Sequence, residues 1–260
     1  MHRLFRTLLA PLLAGVLLAS CASYSSKVDS GLWHYNAGLP AQAIPLLVEG
    51  VPALDAASPS DPRVPQGYVA LANLALQDKK PDLAEKFFEK ALVNAQTHQA
   101  GSPNTKRSTF NVVGMRLLGL GRPSEALPLL VEAARISEET PSIPRRLFAI
   151  DLDNMGIAQA ALGNDAAADA SAARAGMVLD RLEQTPLVKG TRGVVCYNVA
   201  YRLAARGKDA EAETAFRESL ELISAGPEKW RLKIVAREYG KLLTKLGRSA
   251  EAEEVTRPYR

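Results

Sequence analysis

A small-residue register recurs six times down this chain of 260 residues, at a spacing of about 42. Its anchors are Gly38, Lys79, Gly121, Gly163, Gly207 and Gly247. Each is followed five residues later by an alanine: Ala43, Ala84, Ala126, Ala168, Ala212 and Ala252. A period of this length requires a stack of similar two-helix units, each burying its apolar face against its neighbours. Such a stack is a scaffold for binding.

Prolines that play no part in defining the register repeat it. Pro62, Pro103, Pro144, Pro186 and Pro227 are 41, 41, 42 and 41 residues apart. Proline cannot continue a helix and restricts the residue before it, so these positions mark the connections between units. Within a unit the glycine stands where the first helix must stop, because the residue after a helix end commonly takes the left-handed conformation. The alanine falls in the first turns of the second helix, where a small side chain allows close approach. The units are expected at about 30–58, 64–100, 106–140, 146–183, 190–225 and 228–260. Lys79 must either adopt a costly positive φ or allow a different helix end. In the first unit, Lys27 stands where a large apolar residue would open the first helix, which predicts a short helix capped by Asp29 or Ser30. The last unit ends at Arg260 directly after its second helix. Its Glu251, Glu253, Glu254, Arg257 and Arg260 read as a solvated end.

A further match follows on this register. Seven residues before the anchor stand Ala72, Gly114, Gly156, Ala200 and Gly240; nine after it stand Phe88, Leu130, Ala172, Phe216 and Thr256. The stretches Arg116–Leu130 and Ala204–Phe216 resemble the tetratricopeptide repeat, and the resemblance covers roughly residues 30 to 260. The spacing is similar to the kinesin-light-chain class of these repeats. The resemblance implies an all-α, right-handed superhelical solenoid of about six helix hairpins, with a groove lined by the first helix of every unit that takes a protein or peptide partner. Groove-facing positions at helical spacing are Asn73, Asn111, Asp153, Tyr197, Tyr201 and Arg237. Beside them Asn154 and Asn198 occupy the same place in consecutive units. In the kinesin-light-chain class asparagines here bond the partner's main chain, since a side-chain amide both donates and accepts. The competing reading is that Asn154 and Asn198 brace neighbouring helices.

The N-terminus carries a second signal. Residues 1–20 hold Arg3 and Arg6, an apolar run from Leu8 to Ala19 and no acid, which reads as a secretory signal too short to span a membrane. The sequence Leu18-Ala19-Ser20-Cys21 resembles the bacterial lipobox, which implies cleavage before Cys21 and its acylation with diacylglycerol. The alternative is an ordinary signal peptide with a chance cysteine. Several acyl chains suffice for stable anchoring in a bilayer, and residues 21–29 are then expected to form a lipidated tether. Ala22, in place of the aspartate that retains such proteins in the inner membrane, implies the outer membrane of a Gram-negative envelope, facing the periplasm.

Composition agrees. Without Arg3 and Arg6 the 32 basic residues become 30, against 28 acidic ones, a balance that argues against nucleic acid as a partner. Once Cys21 is lipidated Cys196 has no partner for a disulfide. It falls at a core position equivalent to Tyr68, Phe110 and Leu152 and is expected to be a small buried apolar residue, the alternative being a reactive thiol. His34 and His98 are isolated, and no metal-ligand spacing, phosphate loop or nucleophile elbow occurs. No catalytic residue, metal or cofactor is therefore expected. Lys229, Lys233, Arg237, Lys241 and Lys245 recur every four residues, forming either a basic ridge or a solvated helix face. The reading that joins these observations is a lipid-anchored periplasmic adaptor. Lipoproteins of similar build include pilotins for secretins and factors for pilus assembly. The alternative is a structural subunit of an envelope complex that binds through its outer faces or ends.

Overall fold

The computed structural model describes residues 23–98 and 102–259, so the signal segment, Cys21 and Arg260 lie outside the described residues. Among the described residues there are twelve α-helices and no strand. These are α1 (23–36), α2 (Pro40–Ala57), α3 (Arg63–Gln77), α4 (Pro81–His98), α5 (Pro103–Gly119) and α6 (Pro123–Glu139). They continue as α7 (Arg145–Ala161), α8 (Asp165–Asp180), α9 (Pro186–Ala205), α10 (Asp209–Ser224), α11 (Leu232–Lys245) and α12 (Ser249–Thr256). Successive pairs form six hairpins. The chain divides into two compact units, Met1–Val113 and Gly114–Arg260, with the division inside α5.

The register acts through two local devices. Five anchor glycines have φ between +71° and +79°, and Lys79 takes φ +56°. Every one of these turns closes with the same pair of bonds, illustrated by Lys80 N to Ala75 O (2.9 Å) with Lys79 N to Leu76 O (3.0 Å), which satisfies the last carbonyls of the first helix. The six alanines are all buried, and each donates its amide to the residue after the anchor. The small residue seven before the anchor is a steric requirement. A Cβ built on Gly114 would lie 2.8 Å from Leu130, and one on Gly31 2.8 Å from Leu47.

In the N-terminal unit one core joins Val28 of α1 with Leu47, Val51 and Leu54 of α2 and Val64, Tyr68 and Leu71 of α3. This corrects two expectations. Residues 23–29 are not a tether and α1 is not a short helix capped at Asp29 or Ser30; α1 already includes residue 23. Tyr24, Val28, Gly31, Leu32 and Tyr35 recur at helical spacing, and Val28 is fully buried against Gly50. Lys27 lies along this helix paired with Glu49, and Asp29 pairs with Arg63 at 2.7 Å. The other hairpins begin at Arg63, Pro103, Arg145, Pro186 and Lys229. The last opens with a 3-10 turn (Lys229–Arg231).

In the C-terminal unit three apolar clusters follow one another. Ala126, Leu130 and Ala158 form the first; Phe148, Leu152, Leu179 and Val195 belong to the second; Phe216, Ile223, Tyr239 and Leu243 belong to the third. Helices contact their hairpin partner and the adjoining hairpin, as a linear array requires.

Candidate functional site: the first-helix face

A cavity of about 330 Å³ opens in the C-terminal unit. Its wall comes from Met115 of α5, the facing surfaces of α7 and α9, and the connection Pro227–Arg231; no residue of α6, α8, α10 or α12 contributes. The helical part of its wall therefore comes from first helices. In the N-terminal unit a smaller cavity, about 220 Å³, is likewise lined only by α1, α3 and α5.

The cavity between α7 and α9 brings together four of the residues expected in a groove: Asp153 and Asn154 from α7, Tyr197 and Asn198 from α9. Asp153 is 3% exposed. Its Oδ2 accepts a bond from Asn198 Nδ2 at 2.6 Å, while Oδ1 has no partner among the described residues. Burial pushes the Asp153 carboxyl up to about 7, against the opposing influence of the Asn198 bond and the Arg202 charge. Arg202, one turn after Asn198 on α9, is itself buried and none of its three guanidinium nitrogens has a partner among the described residues. Its pKa is lowered by desolvation, with Asp153 and Asp169 pulling the other way. A buried carboxylate oxygen and a buried guanidinium that both lack hydrogen-bond partners among the described residues are an expensive combination. Ile150, Ile157 and Val194 supply an apolar wall, and Arg146 and Arg231 supply cationic groups. The cavity can hold an extended segment that offers N–H groups to Asp153 and carbonyl or carboxylate oxygens to the arginines.

The remaining expected residues fall elsewhere. Asn73 braces α3 to α1, donating to the Tyr35 hydroxyl at 2.9 Å. Asn198 braces α9 to α7 in the same way while also lining the cavity. Asn111 is half-buried on α5. Tyr197 and Tyr201 have ring centroids 6.3 Å apart, and Tyr197 continues through Phe216 to Tyr239. Tyr201, Lys241 and Lys245 line a second cavity of about 240 Å³ between α9 and α11. The basic ridge is largely neutralised: Lys241 and Arg237 both pair with Glu238 at 3.0 Å, and Lys245 pairs with Asp209 at 2.9 Å. Lys229 lies in the 3-10 turn and not on α11, so the row of five on one helix is not formed. Lys233 is exposed.

Cys196 corrects another expectation, being half-buried rather than buried. It lines a separate cavity of about 360 Å³ walled by α8, α9 and α10. Burial, with Glu218 nearby, pushes its thiol up to about 12, which favours the protonated form over the thiolate. Cys196 and Asn198, two residues apart, thus open onto different faces of α9. Arg146, Thr191, Glu228, Arg231 and the buried Arg202 escaped sequence reading. For Arg202 a signal existed, since it stands four residues after Asn198 on the same helix face. Among the described residues no group of three or more His, Cys, Asp or Glu is placed to hold a metal ion.

Residues 65–93 and 107–140 match models of the tetratricopeptide repeat family, so the chain carries repeats of that type. Among solved structures it is similar to PilW, a widely conserved type IV pilus biogenesis factor, with TM-score 0.62 and 18% identity over 92% of this chain and 95% of that one. A putative kinesin light chain with nearly identical TPR-like repeats from Podosopora anserina gives TM-score 0.59 and 16% identity over 78% and 95%. A Rap protein complexed with competence and sporulation factor gives 0.61 and 13% over 89% and 67%. At these identities the likeness shows the fold, an all-α solenoid of tetratricopeptide hairpins. No curated protein sequence matches the chain.

Proposed function

We propose that the protein is a lipid-anchored scaffold of a bacterial envelope that captures an extended segment of a partner protein on its first-helix face. The observation that carries this reading is the cavity between α7 and α9, whose wall includes Asp153, with Oδ1 unpartnered among the described residues, together with Asn154 and Asn198. Its polar groups match a peptide main chain, and the apolar wall accommodates alternate side chains. The fold it shares with a pilus biogenesis factor supports a role in assembling a pilus, a secretin or another envelope complex. The Leu18–Cys21 sequence and Ala22 support acylation at Cys21 and residence in the outer membrane, facing the periplasm.

A photo-crosslinking residue introduced at Asn154, Ile157 or Tyr201 in the full chain tests the reading in intact membranes. Adducts of one discrete partner are expected from these sites and not from Glu89 or Arg174 on second helices. Adducts confined to the second-helix sites would replace the adaptor with a structural subunit that binds by its outer faces.

A further inference from the structure

The N-terminal hairpin presents a surface unlike that of any other hairpin. Along α2 the residues Ala41, Ile44, Pro45, Val48, Pro52 and Ala56 are all exposed, Val48 by 53% and Ile44 by 40%. At 100° per residue these positions fall within about 60° either side of one direction, so they form a single continuous apolar stripe. The helix has only two charged residues, Glu49 and Asp55. Glu49 is paired with Lys27, and Asp55 accepts bonds from Tyr68 and Asn94. Exposed apolar residues on other second helices sit among charges, as Leu83 does beside Glu85 and Lys86 on α4. Water is a poor solvent for a stripe of this kind.

The chain itself indicates what covers it. Val28 packs on Gly50 and Gly31 on Leu47, so α1 and α2 run antiparallel and the start of α1 lies at the C-terminal end of α2. Two residues before the described chain stands Cys21, which can be at most about 7 Å further away. Acyl chains on that cysteine would therefore leave the hairpin at the Pro52–Ala56 end of α2, from the α1 side, one helix away from the stripe. We infer that the exposed face of α2 seats on the lipid bilayer, so that the scaffold lies against the membrane and does not swing freely from its anchor. This inference rests on the proposed acylation of Cys21. Tethering makes the contact intramolecular, so a modest apolar area suffices. Because α2 contains no lysine or arginine, the contact is hydrophobic and requires no anionic lipid.

The test uses the full chain, processed in cells and reconstituted into vesicles of uncharged phospholipid. An environment-sensitive fluorophore is attached at Val48→Cys, or at Glu89→Cys as the control, in a Cys196→Ser background. A nitroxide-labelled lipid is expected to quench position 48 about twofold, unchanged at about 0.5 M salt, and to leave position 89 unquenched. Equal quenching at both sites in a chain that carries a palmitate label would overturn the seating while leaving the anchor intact. A chain without the label would remove the anchor instead, and quenching at 48 in that sample would still support the face. A disulfide between two copies at position 48, without quenching, would assign the stripe to a second copy and sink the proposal.

Discussion

Asp153 concentrates the physics of the site in one residue. Its carboxyl is buried, half-satisfied, and raised from an ordinary 3.8 to about 7. A folded-state pKa above the unfolded one means that the native state holds the proton more tightly. The stabilisation is therefore fully present below pH 4 and is lost as pH rises through 7. At about 1.4 kcal/mol per unit the change is on the order of 4 kcal/mol at most, since Arg202 absorbs part of it. Thermal unfolding of the wild-type chain should show a lower Tm at pH 8 than at pH 5 from this group. Asp153→Asn keeps the bond from Asn198 and should flatten that difference; an unchanged pH profile would mean that Asp153 titrates normally. Sequence position alone pointed to Asp153 as groove-facing. The protonation behaviour was not legible, because it depends on burial of the carboxyl by the packed helices, against which Asn198 and Arg202 act from another helix.

At the scale of the element, the turn between paired helices was fully legible. A backbone at positive φ is a local demand met by glycine without steric cost, so the residue that meets it shows in the sequence. Lys79 is the informative exception: it holds φ +56° between α3 and α4, which pack on each other, with Ala84 and Phe88 of α4 buried. Replacing Lys79 by glycine should stabilise the protein by up to about 1 kcal/mol in denaturant unfolding, and Gly207→Ala should destabilise it by a similar amount. A loss of stability in Lys79→Gly would show that the lysine side chain contributes contacts that outweigh the backbone strain. Residues 23–29 were misread for the opposite reason. No cap or turn residue marks them as helical, and the helical spacing of Tyr24, Val28, Leu32 and Tyr35 gains its meaning from the face of α2 and α3 that they find.

Across the whole molecule, the array construction predicts that damage stays near its source. Leu243 is fully buried in the last cluster, and Leu243→Ala should cost about 2–5 kcal/mol locally. In amide hydrogen exchange the loss of protection should extend through α9 to α12 and leave α1 to α4 unchanged, since each hairpin contacts only its neighbours. Uniform loss of protection along the chain would show a single cooperative core instead. No helix among the described residues is long and apolar enough to cross a membrane; attachment through Cys21 and the face of α2 is our proposal.

By itself the sequence determined the repeat, its six anchors, the hairpin turns and the helical class, because each of these is set by interactions within a few residues or by a periodicity written along one helix. It also separated Cys196 from Asn198 by angle on α9. The tertiary structure alone decided that Asn73 and Asn198 brace successive first helices, that Asp209 neutralises Lys245, and that Arg202, on the helix next to Asp153, is buried with no hydrogen-bond partner among the described residues. Those outcomes depend on pairs some 35 to 50 residues apart in the chain, whose encounter is fixed by how one hairpin packs on the next. A repeat repeats its backbone, but the polar groups on its faces differ from unit to unit, and only packing brings them within bonding distance.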